Sequence, residues 1–387
     1  MGIMVSQTAL AASVGETVRT VADRLEAEQI TEGFDSGSWP NEAAFTGSIV
    51  AGLVGAYELT CENIYRRSAE LGADYILWTA QGNFYGDEAF ALARLSQIVV
   101  EDPLNNPYRT AVSDFYYNVK KSPDGIKGYI SYFAGIEPST AVFYLANHVV
   151  SAYSVDAEDR QLWRQGLIDR LAQVDDSSLF PVMALGVATW ALVETGPLDE
   201  TFIDPSSQGT AYWNFKTLTD LPDLLVSHQV PEGRPYAGSF YWQFHHEEGD
   251  PNGYTEDTIF ATLGLIAASR ANPDPKVDAA VLAAREALLD GISTDGRVWE
   301  HLSQEGEGYS VYAGEMLQVL WELAIPGDLN LDGRIDSSDF TILADHWLAS
   351  DCGEYAWCDG TDLDRSGQVD FIDLEMMVNN WLQGVEK

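Results

Sequence analysis

The run Gly47-Ser48-Ile49-Val50-Ala51-Gly52-Leu53-Val54-Gly55-Ala56 decides the fold. It carries no charge and, at 3.6 residues per turn, no polar stripe. A helix made of it must therefore be buried on every side. Pro181-Val-Met-Ala-Leu-Gly-Val-Ala188 and Ala261-Thr-Leu-Gly-Leu-Ile-Ala-Ala268 read the same way. Other helical runs, at Glu16–Glu28, Ala141–Ser154 and Lys276–Leu289, alternate with them, and Asp159–Val174 has one apolar face only. The first apolar run extends to Ile64 by the same periodicity. Residues 15–325 show almost no period-two alternation, so the class is mainly α.

A weak internal repeat punctuates these helices. A glycine followed by an aromatic recurs at Gly37-Ser-Trp39, Gly82-Asn-Phe84, Gly128-Tyr129, Gly238-Ser-Phe240-Tyr-Trp242 and Gly296-Arg-Val-Trp299, with Ser178-Leu-Phe180 as a copy lacking its glycine. The spacing of about 45 to 60 residues suits two helices and two loops each. Six helical hairpins in series can stack as an open solenoid or close into a ring. Helices apolar all round belong to an inner ring, amphipathic ones to an outer ring. The pattern resembles the α/α toroid shared by terpene cyclases, prenyltransferases and many glycoside hydrolases and polysaccharide lyases. That resemblance implies an architecture and assigns no activity.

Two further stretches carry a different message. Asp328-Leu-Asn330-Leu-Asp332-Gly333-Arg334-Ile335-Asp336-Ser337-Ser338-Asp339 and Asp362-Leu-Asp364-Arg-Ser366-Gly367-Gln368-Val369-Asp370-Phe371-Ile372-Asp373 share one spacing. Oxygen side chains stand at loop positions 1, 3, 5, 9 and 12, glycine at 6, and Arg334 and Gln368 offer their backbone carbonyls at 7. A twelve-residue loop needs this pattern to wrap a calcium ion, which predicts two ions. A ten-residue helical pattern leaves each loop, and Asp339 to Leu348 aligns without a gap on Asp373 to Leu382. Pro326-Gly327 prevents a helix before the first loop.

A loop with one exiting helix, used twice over about residues 326–384, resembles the type I dockerin module. The resemblance implies docking onto a cohesin-like domain. Dockerins commonly carry a Ser/Thr-type pair at positions 10 and 11. Ser337-Ser338 fits this and Phe371-Ile372 does not, so the two halves are not equivalent faces and the first is the expected docking face. Cys352 and Cys358 could join in a small disulfide, while Cys61 reads as a core thiol. The short linker allows the module to pack on the ring. The organisation expected is a possible signal-peptide remnant in 1–14, the toroid in 15–325 and the calcium module in 326–387.

A formal charge of −39 over 387 residues repels nucleic acid and anionic membrane. With no run of about eighteen apolar residues, no membrane span is expected. Ile3 to Ala12 looks like the end of an apolar export segment with a small-residue cleavage site, though no charged region precedes it; a disordered tail is the alternative. The calcium loops favour an extracellular or secreted location independently.

In a toroid the loops entering the inner helices line one end of the cavity. Here they carry aromatics and acids. Trp39, Tyr85, Tyr241, Trp242 and Trp299 are candidates for stacking on sugar rings. The fifth loop, Tyr241 to Asp257, is the longest and densest. Its candidates for proton chemistry are His246, Glu248, Asp250, Tyr254 and Asp257. A hydrolase needs two carboxylates flanking the bond; a lyase needs a base and a neutraliser for a uronate carboxylate. The residues supply candidates for either. Metalloprotease, P-loop, dinucleotide and G-x-S-x-G signatures are absent. The dockerin resemblance implies carbohydrate chemistry on a polysaccharide or oligosaccharide. The alternative is a non-catalytic glycan-binding or scaffold protein whose calcium loops form an intramolecular clamp, with the Trp347 and Trp381 helices packed on the ring.

Overall fold

The protein is described from a computed structural model over residues 14–99, 106–121, 125–133, 135–247, 249–306, 308–331, 334–350, 352, 357–364 and 366–381. Glu248, Asp332, Gly333 and all but the last residue of the expected export remnant lie outside them.

The chain folds as six helix pairs. The first is α1 (Val14–Glu28) with α2 (Thr46–Thr60), the second α3 (Asn63–Ala80) with α4 (Gly86–Ile98). The third runs α5 (Pro107–Lys121), a short α6 (Gly125–Phe133), then α7 (Pro138–Ser154). Next come α8 (Arg160–Leu171) with α9 (Pro181–Glu194), α10 (Leu221–Ser227) with α11 (Thr255–Ala271), and α12 (Pro275–Asp290) with α13 (Ser310–Leu323). The second helix of each pair packs on the next: α2 on α4, then α7, α9, α11, α13, and α13 back on α2. The ring therefore closes, which excludes the open solenoid. The described residues contain isolated β-bridges and no named strand.

Composition explains which helices go inside. Every residue from Thr46 to Tyr57 in α2 and from Pro181 to Leu192 in α9 is buried. The small residues let backbones touch. A Cβ on Gly52 would stand 2.1 Å from the Gly314 carbonyl oxygen, and one on Gly186 2.4 Å from that of Phe260. Outer helices bury one stripe, as α1 does with Val14, Val18, Val21, Ala22 and Leu25. By length and composition Ala43–Thr60 could cross a membrane, contrary to the expectation that no run suffices; here 67% of it is buried inside the ring.

The glycine-aromatic turns are packing devices. Gln29 donates its amide to the Gly37 and Ser68 carbonyls at 3.0 and 2.9 Å. Gln229 does the same to Gly238 and Ala280 at 3.0 and 2.8 Å. Both glycines hold positive φ, +102° and +88°, with backbone of the next outer helix where a Cβ would go. Trp39 and Phe240, two residues on, are wholly buried. Gly128-Tyr129 is a correction: it lies inside α6, not in a turn.

The C-terminal segment has its own small core of Ile335, Leu343, Cys352, Val369 and Met377. Its helices are α14 (Ser337–Asp345), α15 (Trp357–Gly360) and α16 (Phe371–Asn379). Cys352 and Cys358 are disulfide-bonded. The short linker does set the segment against the ring: Leu331 abuts Gly15, where a Cβ would fall 2.2 Å from that of Leu331, and α15 touches α2. Cys61 is half-buried at the left-handed C-cap of α2 and not in the core.

Candidate active site and calcium loops

The inner helices all start at one end of the ring, and acids cluster in their first turns. A helix N-terminus carries unpaired amides and partial positive charge, so carboxylates settle there. Three of them tie one inner helix to a neighbour. Glu42 accepts from the Ser310 and Val311 amides of α13 at 2.8 and 2.7 Å. Asp87 of α4 accepts from the Ser48 amide of α2. Asp257 of α11 accepts from the Met183 amide of α9 at 3.0 Å. Burial lifts Asp87 to about 6 and Asp257 well above the ordinary range, with Glu256 adding to the latter.

Two further first-turn glutamates are candidates for proton chemistry. Glu88 is half-buried in the first turn of α4, its Oε2 accepting from the Tyr85 amide at 2.8 Å. Burial, then Asp87 beside it, raises it to about 7. Glu256 is half-buried in the first turn of α11. Burial, then Glu300, raises it to about 7 as well. α4 is second and α11 fifth around a ring of six, so these residues face one another across the axis. Burial, then the charges of Asp87, Glu88 and Glu256 among its neighbours, push the Tyr144 phenol of α7 up. Glu315, one turn into α13, is 2% exposed; burial and then Glu256 and Asp87 push its carboxyl well above the ordinary range. Its Oε2 has no hydrogen-bond partner.

The sequence candidates fall on both sides of this cleft. Tyr85 is 48% exposed, its ring 5.3 Å from Tyr144, beside a hollow of about 270 Å³ that Glu88 also lines. Trp242 is half-buried, 6.4 Å from the Tyr254 ring, and its indole nitrogen has no partner. Trp299 is half-buried under Arg297, whose guanidinium lies 5.7 Å from its ring. Trp39 has no face for a sugar: it is wholly buried, donating to the Leu25 carbonyl at 2.8 Å. Tyr241 is buried and stacks on His246 at 4.0 Å. Asp250 accepts from the Glu247 amide and closes a turn. Tyr254 caps α11 and bridges to His301. Asp257 is a helix fastener, as above. The first and second histidines of the loop do not reach the glutamate pair as a base: His245 is exposed against Asp176, and His246 lies between Tyr241 and His228.

Sequence reading passes over Glu88 and Glu256 although a signal for the pair exists. Tyr85-Gly-Asp87-Glu88 and Tyr254-Thr-Glu256-Asp257 are the same tyrosine-x-acid-acid string, each opening an inner helix.

The calcium loops are built alike. Asp339 accepts from the Leu329 and Asn330 amides at 2.9 and 3.1 Å, and Asp373 from those of Leu363 and Asp364 at 2.5 and 3.2 Å. Asp336 and Asp370 cap α14 and α16. Carboxylate oxygens of Asp362, Asp364 and Asp373 lie within 4.8 Å of one another. Asp328, Asp339, Asp362 and Asp373 are all buried. Hard oxygen donors gathered this closely fit calcium. Asp328, Asn330, Arg334, Asp336 and Asp339 would serve the first loop with Asp332; Asp362, Asp364, Ser366, Gln368, Asp370 and Asp373 the second.

Residues 326–380 match the dockerin type I domain, a module that binds calcium and docks onto cohesin. No curated protein sequence matches the chain. Among solved structures it is similar to the alpha-1,6-mannanase GH76A of Salegentibacter sp. HEL1_6, at 13% identity and TM-score 0.51, covering 80% of this chain and 99% of that one. The same figures hold for an inactive variant, altered at two neighbouring aspartates, in complex with alpha-1,6-mannotriose. The unsaturated glucuronyl hydrolase of Bacillus sp. GL1, responsible for glycosaminoglycan degradation, matches at 14% and TM-score 0.51, covering 80% and 95%. At such identity the likeness speaks for fold alone. The chain is an α/α toroid followed by a type I dockerin module.

Proposed function

We propose that the ring is an extracellular glycoside hydrolase acting on a polysaccharide, and that its module binds two calcium ions and docks it on a cohesin-like domain. One observation carries the enzyme reading: Glu88 and Glu256, on opposite inner helices, are both held near 7 at one convergent mouth. A glycosidic bond breaks when one carboxylic acid protonates the leaving oxygen and a second, ionised carboxylate activates water or attacks the anomeric carbon. Groups titrating near neutrality can supply both forms. Tyr85, Trp242 and Trp299 offer partly exposed aromatic surface around the pair. The dockerin match and toroid neighbours that act on glycans agree with this reading. Calcium loops in a dockerin module suit a calcium-rich medium, which supports a location outside the cell.

The test is to screen the full chain against polysaccharides for new reducing ends. Glu88→Gln and Glu256→Gln should each lower turnover by about 10²–10⁴-fold while the fold persists. An unsaturated product absorbing in the near ultraviolet would indicate a lyase instead. Binding without turnover would favour the glycan-binding alternative.

The contact of Leu331 with Gly15 favours a second role for the module, as a clamp on the ring. Trp347, by contrast, packs within the module, 5.1 Å from Phe371. The clamp reading therefore rests on the calcium loop's apolar tip and not on the tryptophan helices.

A further inference from the structure

The ring has a second end. Glu88 and Glu256 sit in the first turns of α4 and α11. At the opposite end, the last turns of α4, α7, α9 and α13 surround a hollow of about 410 Å³, with Leu263, midway along α11, also in its wall. Small-molecule sites usually occupy about 300–1,000 Å³. Four aromatic residues line this one: Phe90, Tyr153, Trp190 and Trp321. Phe90 and Trp190 meet edge to face at 5.2 Å, and the Arg94 guanidinium lies 4.3 Å from the centre of the Trp321 ring. Gln97 and Glu194 stand exposed in the same wall. The Tyr153 hydroxyl has no hydrogen-bond partner.

The chemistry of the wall selects among ligands. Four helices end here, and the last carbonyls of a helix are unpaired and partly negative. Together with Glu194 they disfavour an anion. A cation would meet Arg94, already seated on Trp321 and held there by Glu58. A wholly apolar ligand would strip water from Glu194, Gln97 and the helix-end carbonyls without replacing its hydrogen bonds. A neutral sugar meets all three conditions. Its C–H faces suit aromatic walls. Its hydroxyls can donate to Glu194 and the carbonyls, and its oxygens can accept from Gln97. The Gln318 amide donates to the Ser48 carbonyl at 3.1 Å, which leaves its own oxygen as an acceptor.

We propose that this far-end hollow is a second carbohydrate site, holding a neutral sugar unit without cleaving it. Cleavage needs two carboxyl groups that are free to act. Glu58 is held by Arg94 and Glu322 by Arg270, which leaves Glu194 by itself. The site does not depend on the hydrolase reading of the Glu88 and Glu256 mouth.

The experiment is calorimetry on the full chain with trisaccharides of mannose, glucose, galactose and xylose, beside trigalacturonate and choline as an anion and a cation. Two substitutions at exposed positions alter the hollow without touching the mouth. Gln97→Trp fills its entrance, and Glu194→Lys removes its free acceptor. At least one neutral trisaccharide is expected to bind, and each substitution should weaken that binding by about tenfold or more. The melting temperature of both variants should stay at the parent value, which separates a lost site from a lost fold. Binding by no neutral trisaccharide would overturn the proposal. So would neutral binding that both substitutions leave unchanged, or trigalacturonate or choline binding that exceeds every neutral probe and vanishes with Gln97→Trp. Turnover is read separately. If binding is lost with Gln97→Trp and the parent cleaves no polysaccharide, the second site stands and the hydrolase reading fails. Turnover without any binding sensitive to Gln97→Trp gives the reverse.

Discussion

Glu256 shows how a single residue can be unfavourable for stability and suited to chemistry. Its ordinary value is 4.5 and burial beside Glu300 lifts it to about 7. Between those values the folded chain holds a proton that the unfolded chain has lost. Stability therefore falls as pH rises from about 4.5 to about 7, because the native state binds more protons across that window. Glu88 behaves alike, with Asp87 as its added cause. Glu256→Gln removes the titration. In thermal denaturation the variant should match the parent near pH 4.5 and exceed it by a few degrees at pH 8, while losing turnover. A variant no more stable than the parent at pH 8 would contradict the raised value. Parent turnover should decline above about pH 7 as the acid form disappears. Little of this is legible in the sequence. The fifth loop stands out there for its density, but density does not say which acid is buried. Asp257 fastens α9, and its neighbour Glu256 is half-buried and takes no part in that bond.

Elements whose information is local are readable from sequence, and those that depend on partners are not. The calcium loops declare themselves by spacing, and α9 (Pro181–Glu194) opens where its apolar run does, at Pro181. The short α10 is invisible because seven residues hold too little period within a long irregular stretch. α6 hides behind a glycine-aromatic pair that looks like another turn. Trp39 reads as a sugar platform because exposure cannot be inferred from residue type; in place it plugs the space behind its turn. Packing at the element scale gives two tests. Gly52→Ala puts a Cβ onto the Gly314 carbonyl and should cost about 1–3 kcal/mol in denaturant unfolding. Asp257→Ala strands the Met183 amide and should cost about 1–3 kcal/mol. Neutral effects in both would mean that the inner helices are not held at these contacts.

At the scale of the molecule, the chain has two separate hydrophobic cores of unequal size. The ring's core runs from Val14 to Leu320, and the module's has five fully buried members. A core that small cannot offset eight loop carboxylates crowded without a cation, so calcium binding should be folding energy for the module. Each site filled at a hundred times its Kd adds about 2.7 kcal/mol. Calorimetric titration of the full chain should show about two sites, and a chelator should abolish the module's tertiary signal. What happens to the ring then separates the two roles of the module. If docking is its work, the ring's melting temperature should change little on chelation, because the contacts of the described residues, Leu331 on Gly15 and α15 on α2, are small. Capture by a cohesin-like domain should vanish in the same sample. If the module is a clamp, the ring should melt several degrees lower with chelator, and Leu331→Ala should reproduce part of that fall with calcium still bound. A ring that holds its melting temperature through both treatments leaves the apolar tip without a stabilising role and assigns the calcium loops to partner capture.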